Sequence, residues 1–143
     1  MELAKFLLKK HEQDYHNHIR AKLRQVARLL LFIREETDED YQMSDLLVPK
    51  HFDLLATSVK NFVMVKGPGK EKNALALKLG GSIKQMAQRL RGKCLRNSGD
   101  KEADLKQRQS ASFLELFDSE WSHVVSSRCL KRMYDAKLNK KQG

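Results

Sequence analysis

The sequence predicts an all-α protein, a single helical bundle of four to six helices over residues 1–143. Three observations predict it. Apolar residues recur at spacings of three and four, which gathers them on one side of a helix at 3.6 residues per turn. No stretch alternates apolar and polar residues between turn signals, as a half-buried strand does. Both prolines, Pro49 and Pro68, fall between the periodic stretches, and of seven glycines only Gly80, Gly81 and Gly92 fall within or at the edge of one. A chain of this length removes about 68% of its unfolded surface from water, enough for a core without a disulfide or metal staple.

The first strong helix is expected from about Asp14 to Glu36, with residues 1–13 readable as a separate short helix. Its stripe is Ile19, Leu23, Val26, Leu30 and Ile33, at spacings of 4, 3, 4 and 3. From Leu29 apolar residues run all round, which predicts that the second half is surrounded by other helices. An acidic connection follows, Glu35, Glu36, Asp38, Glu39, Asp40 and Asp45, and Pro49 stands where the first turn of a helix tolerates it. That second helix should reach about Val65, burying Phe52, Leu55 or Ala56, Val59, Phe62 and Val63. Gly67-Pro68-Gly69 ends it.

Asn73 is placed to cap a third helix with the face Leu75, Leu79, Ile83, Met86 and Leu90. Gly80 and Gly81 inside it cost about 1 kcal/mol each relative to alanine, so a kink or a close helix contact should compensate. Asn97-Ser98-Gly99 breaks the chain again. The last apolar block, Phe113, Leu116, Phe117, Trp121, Val124, Val125, Cys129 and Met133, reads as one long helix or two short ones, jointed at Asp118-Ser119 or Ser122. Residues 138–143 form a basic tail. The expected core is Leu23, Val26, Leu30, Ile33, Leu55, Val59, Ile83, Met86, Phe117 and Trp121.

The longest apolar run, Leu29 to Ile33, is far short of the roughly 20 residues of a membrane span, so no membrane partner is expected. The first ten residues lack a signal-peptide core and cleavage site, which predicts an intracellular protein. Cys94 and Cys129 lie 35 residues apart with no C-x-x-C pair, and free thiols are the expectation.

Charge is the most informative feature. The 28 Lys and Arg against 18 Asp and Glu give +10, unevenly spread. Lys60 to Arg108 carries thirteen basic and four acidic residues, residues 34–53 two and seven, and the tail from Arg128 six and one. Such concentration is expected of a surface that meets a polyanion. On an ideal third helix Lys84, Gln88 and Arg91 lie opposite the apolar stripe, with Lys78 and Gln85 beside them and Arg89 at the flank. Lys93 and Arg96 continue the basic run. Lys and Arg donate to phosphate oxygens, and Gln and Arg also read base edges, so these eight residues are the candidate nucleic-acid contacts. A solvated helix face accounts for the same composition.

No catalytic constellation is predicted, nor any metal or cofactor. His16 and His18 fall about 160° apart on a helix, and no Cys or carboxylate joins them and His11 at ligand spacing. Gly67-Pro68-Gly69-Lys70 is only superficially like a phosphate loop, because Glu71 stands where a magnesium-binding Ser or Thr is needed. Asp118, Ser122 and His123 share one short stretch and cannot converge around a pocket as a triad does.

The stretches Tyr15–Leu31 and Ala74–Lys84, with Phe113–Ser122, Leu130 and Ala136–Lys140, resemble a multi-copy eukaryotic family of mobile-element character. In its longer members this helical block precedes a region similar to the tyrosine recombinases of transposons. The resemblance covers nearly the whole chain through helix-face patterns, and it implies a position like that of the helical segment that precedes or forms a DNA-clamping core-binding domain. It also implies a nuclear, DNA-binding role. The chain departs from the recombinase pattern: none of its five histidines has Arg three residues on, and Tyr15, Tyr41 and Tyr134 lack the partners of a nucleophile. It ends at Gly143 where the family continues, so a chain that cannot cut DNA is expected.

Two functional readings follow from different classes. One is a non-catalytic module that binds nucleic acid, duplex DNA foremost, as a remnant of a mobile-element recombinase. The other is a protein-interaction module whose basic region meets an acidic protein or the acidic segment of a second copy. A decayed element without a selected function is a third.

Overall fold

A computed structural model describes the backbone of residues 2–66 and 72–142, with side chains over 12–65, 73–126 and 129–136. Six α-helices and one 3-10 turn account for nearly all of it, and no strand occurs among the described residues. The chain is all-α, as its periodicity predicts.

Helix α1 runs without interruption from Glu2 to Thr37, so residues 2–13 continue the helix and do not form a separate one. Asp38, at φ 54°, turns the backbone out of the helix, a conformation Asp adopts more readily than most residues. Arg34 ties the following acidic segment back: its Nε donates to the Tyr41 carbonyl at 2.8 Å and lies 3.6 Å from the Asp40 carboxylate. Asp45 accepts from the Gln42 backbone N–H (2.8 Å) at the start of α2, Met43–Leu46. Its carbonyl meets His51 Nδ1 at 2.8 Å, and the His51 ring packs edge-on against Tyr41. The acidic connection is therefore folded on itself.

Pro49 opens a 3-10 turn, Pro49–His51, that feeds α3, Phe52–Lys66. Phe52, Leu55, Ala56, Val59, Phe62 and Val63 are all essentially inaccessible to solvent. With contacts to α1 and to the later helices, α3 takes the central place expected of the second half of α1. The reason is visible at Leu31, which stays 58% exposed, so α1 is covered on one side only.

Helix α4 spans Lys72–Arg96. Asn73 is thus its second residue and not its cap, and the Gly67-Pro68-Gly69-Lys70 connection lies outside the described residues. Gly99 (φ 107°) and the Asp100 cap, whose carboxylate accepts from Glu102 N–H at 3.2 Å, turn the chain into α5, Lys101–Val124. The joint with α6, Ser127–Gln142, falls at Val125–Ser126 and not at Asp118-Ser119 or Ser122. Ser126 fixes it by accepting the Cys129 backbone N–H at 3.2 Å.

The core lies between α3, α4 and α5, closed by α1 from Val26 onward. Phe52 meets Phe113 and Trp121 edge-on, with ring centroids 5.9 and 6.0 Å apart, and Trp121 stacks on Phe117 at 4.7 Å. Of the expected core, Val26, Ile33, Leu55, Val59, Ile83, Phe117 and Trp121 are buried, whereas Leu30 and Met86 are half-buried. Leu23 is 58% exposed, because it lies about 60° round α1 from buried Val26, at the edge of the inward face, whereas Ile19 and Lys22 before it are half-buried.

Candidate nucleic-acid interface

Helix α4 carries the predicted contacts, and its orientation decides which of them face outward together. Its buried residues are Ala76, Leu79, Gly80, Ser82, Ile83, Ala87 and Cys94, while Leu75, Met86 and Leu90 are only half-buried. The inward face is centred on small residues, because they let α5 approach closely: Trp121 Nε1 would lie 2.8 Å from a Cβ placed on Gly80. The helix is thereby rotated relative to the stripe drawn through its largest side chains.

This rotation sorts the eight candidates. At about 100° per residue, Lys78, Gln85, Arg89 and Arg96 fall within about 40° of one another, forming a strip along α4. All four are exposed. Over the 18 steps from Lys78 to Arg96 an α-helix rises about 27 Å. Gln88 and Lys93 sit about 80° and 60° from the middle of that strip, and Arg91 about 140° away, all exposed. Lys84, expected opposite the apolar face, instead sits at the α5 side, where its Nζ pairs with Asp118 Oδ1 at 2.8 Å. Its side chain is 41% exposed. Among the described residues no carboxylate pairs with Lys78, Arg89, Arg91, Lys93 or Arg96.

Beside the strip, α1 and α4 enclose an open groove of about 150 Å³. Tyr15, Leu23 and Lys22 reach it from α1, and Gln85, Met86 and Arg89 from α4. Tyr15 is 56% exposed. The α1 residues in this groove have no sequence signal, since nothing in the chain says which helices cross there. Arg20, Arg24 and Arg28 are exposed on the side of α1 turned away from Val26, and their spacing of four was readable.

Other candidate chemistry is accounted for locally. Asp118, the acid beside Ser122 and His123, is engaged by Lys84. His16 and His18 are exposed, and among the described residues no group of three or more His, Cys, Asp and Glu is arranged to hold a metal ion. Cys94 is buried and Cys129 half-buried, and both are free thiols. Hydrogen bonding from Ser126 holds the Cys129 thiol below its ordinary pKa against the opposing effect of burial, with Lys60 and Arg132 adding to the lowering. No described helix is long and apolar enough to cross a membrane. No family model, curated protein or solved structure matches the chain.

Proposed function

We propose that this chain is a non-catalytic helical module that binds nucleic acid, duplex DNA foremost, in the nucleus. The observation that carries the reading is the strip Lys78, Gln85, Arg89 and Arg96, exposed along one side of α4 with no carboxylate paired to its three cations among the described residues. Cations held along one helix suit a phosphate backbone, and Gln85 among them can meet a base edge. Lys93, about 60° round the helix, broadens the positive surface, whereas Arg91, about 140° away, lies outside it. The resemblance of Tyr15–Leu31, Ala74–Lys84 and Phe113–Ser122 to a mobile-element family whose longer members carry a recombinase-like region supports the same reading, as that of a DNA-clamping segment.

One observation favours a protein-interaction reading instead. Leu23 and Leu31, both 58% exposed, flank exposed Ala27 at spacings of four, an apolar seam on α1 that another helix could cover. Salt separates the two readings. Phosphate binding releases counterions, so log K falls with log salt in proportion to the contacts, whereas a largely apolar interface responds far less. Fluorescence anisotropy on random-sequence duplex between low and moderate salt tests the proposal: steep salt dependence supports it, and absence of binding at low salt sinks it.

A further inference from the structure

We infer that the groove between α1 and α4 is a seat for a single unpaired nucleobase, so that the preferred nucleic acid carries a base outside the duplex stack. The inference rests on the nucleic-acid reading above and deepens it.

The groove holds about 150 Å³, close to the roughly 150 Å³ of an engineered protein cavity that accepts benzene, so its size is that of one aromatic ring system. Its walls are of two kinds. Tyr15, Leu23 and Met86 offer an aromatic ring, an aliphatic branch and a thioether, which pack on the faces of a planar heterocycle. Lys22, Gln85 and Arg89 offer donors, and the Gln85 amide also accepts, as recognition of a base edge requires.

Two features tie this groove to nucleic acid in particular. Gln85 and Arg89 belong both to the groove and to the cationic strip on α4, so a strand whose phosphates follow the strip brings its bases to the groove. Lys22 and Arg89 come from opposite helices, and neither has a carboxylate partner among the described residues, leaving a groove with positive charge on both sides and no acid to neutralise it. Tyr15 is held by a helix and remains 56% exposed, accessible to a stacking partner. A base inside an intact duplex keeps both faces covered by its neighbours, so only an unpaired or extruded base can enter.

The test uses the full chain and three labelled duplexes of one sequence: fully paired, with one bulged adenine, and with an abasic residue at the bulge. Bulges make DNA easier to bend, and the abasic probe carries that effect without the base. The expected result is about tenfold tighter binding to the adenine bulge than to either other probe. Tyr15→Ala and, separately, Gln85→Leu should each bring the ratio of adenine-bulge to abasic-bulge affinity near one. Both positions are exposed, so the fold should persist, and a dichroism melt verifies it. Lys78→Gln with Arg96→Gln should weaken all three probes alike and keep the ratio. Equal affinity for the adenine and abasic bulges, or a preference that survives Tyr15→Ala, overturns the base seat while leaving phosphate binding intact. Failure to bind any of the three overturns both.

Discussion

The indole nitrogen of Trp121 lies 2.8 Å from the point a side chain on Gly80 would occupy, whereas its neighbour Gly81 faces open space. The ring cannot give way easily, being stacked on Phe117 and edge-on to Phe52. Gly80→Ala should therefore destabilise the fold by about 1 kcal/mol, overpacking of about 1–3 kcal/mol outweighing the helix-propensity gain of about 1 kcal/mol. Gly81→Ala should stabilise it by up to about 1 kcal/mol. Urea melts of the two variants check the opposite signs, and a stabilising Gly80→Ala would show that the contact is not tight.

Lys84 and Asp118 form a bridge between α4 and α5, with side chains 41% and 60% exposed. An exposed pair of this kind is worth about 0–1 kcal/mol, so a double-mutant cycle with Lys84→Gln and Asp118→Asn should give a coupling below about 1 kcal/mol. The functional consequence is larger. Asp118→Asn frees a cation and should tighten duplex binding, whereas Lys84→Gln should weaken it less than Arg89→Gln does. Equal losses at Lys84 and Arg89 would argue that the bridge opens to phosphate.

Cys129 should react with iodoacetamide well before buried Cys94 in the native protein. Because the Cys129 pKa is lowered, chiefly by the Ser126 hydrogen bond, its thiolate is populated at lower pH than an ordinary thiol. Its rate should thus begin to rise at lower pH, and Ser126→Ala should move that rise upward. Mass-resolved labelling against pH measures both, and a profile unchanged by the substitution would remove Ser126 as the cause.

Phe113 is fully buried against Phe52 and Phe117, and Phe113→Ala should cost about 3–5 kcal/mol. Thermal melting followed by dichroism checks it, and a loss under about 1 kcal/mol would contradict the packing described.

Helical spacing made the class and most of the core legible: Val26, Ile33, Leu55, Val59, Ile83, Phe117 and Trp121 follow from periodicity alone and are buried. Leu23 did not follow, because periodicity marks a helix face but not where its edge falls, and Leu23 lies about 60° round α1 from buried Val26, at the open rim of the groove with α4. The α5–α6 joint was placed too early because the apolar pattern runs on through Val124 and Val125, and the serine that caps the next helix is Ser126. On α4 the stripe of large residues hid the true inward face, since a close helix contact selects Ala76, Gly80 and Ala87 for their small size. That rotation separated Lys84 from the strip and joined Arg89 to it. Lys22 and Tyr15 could not be found from sequence, because the groove they share with Gln85 exists only where two helices cross.

The most direct test of the central claim compares the salt dependence of duplex binding for two triple variants of equal charge. Lys78→Gln, Arg89→Gln and Arg96→Gln remove the cations of the α4 strip, and Arg20→Gln, Arg24→Gln and Arg28→Gln remove three from the outer side of α1. The account predicts that the α4 triple loses most of the affinity, with a salt slope shallower by about 0.9 for each phosphate contact removed, while the α1 triple loses only what its net charge contributes. Equal losses in the two triples would contradict a localised interface and leave only the general attraction of a basic protein for a polyanion.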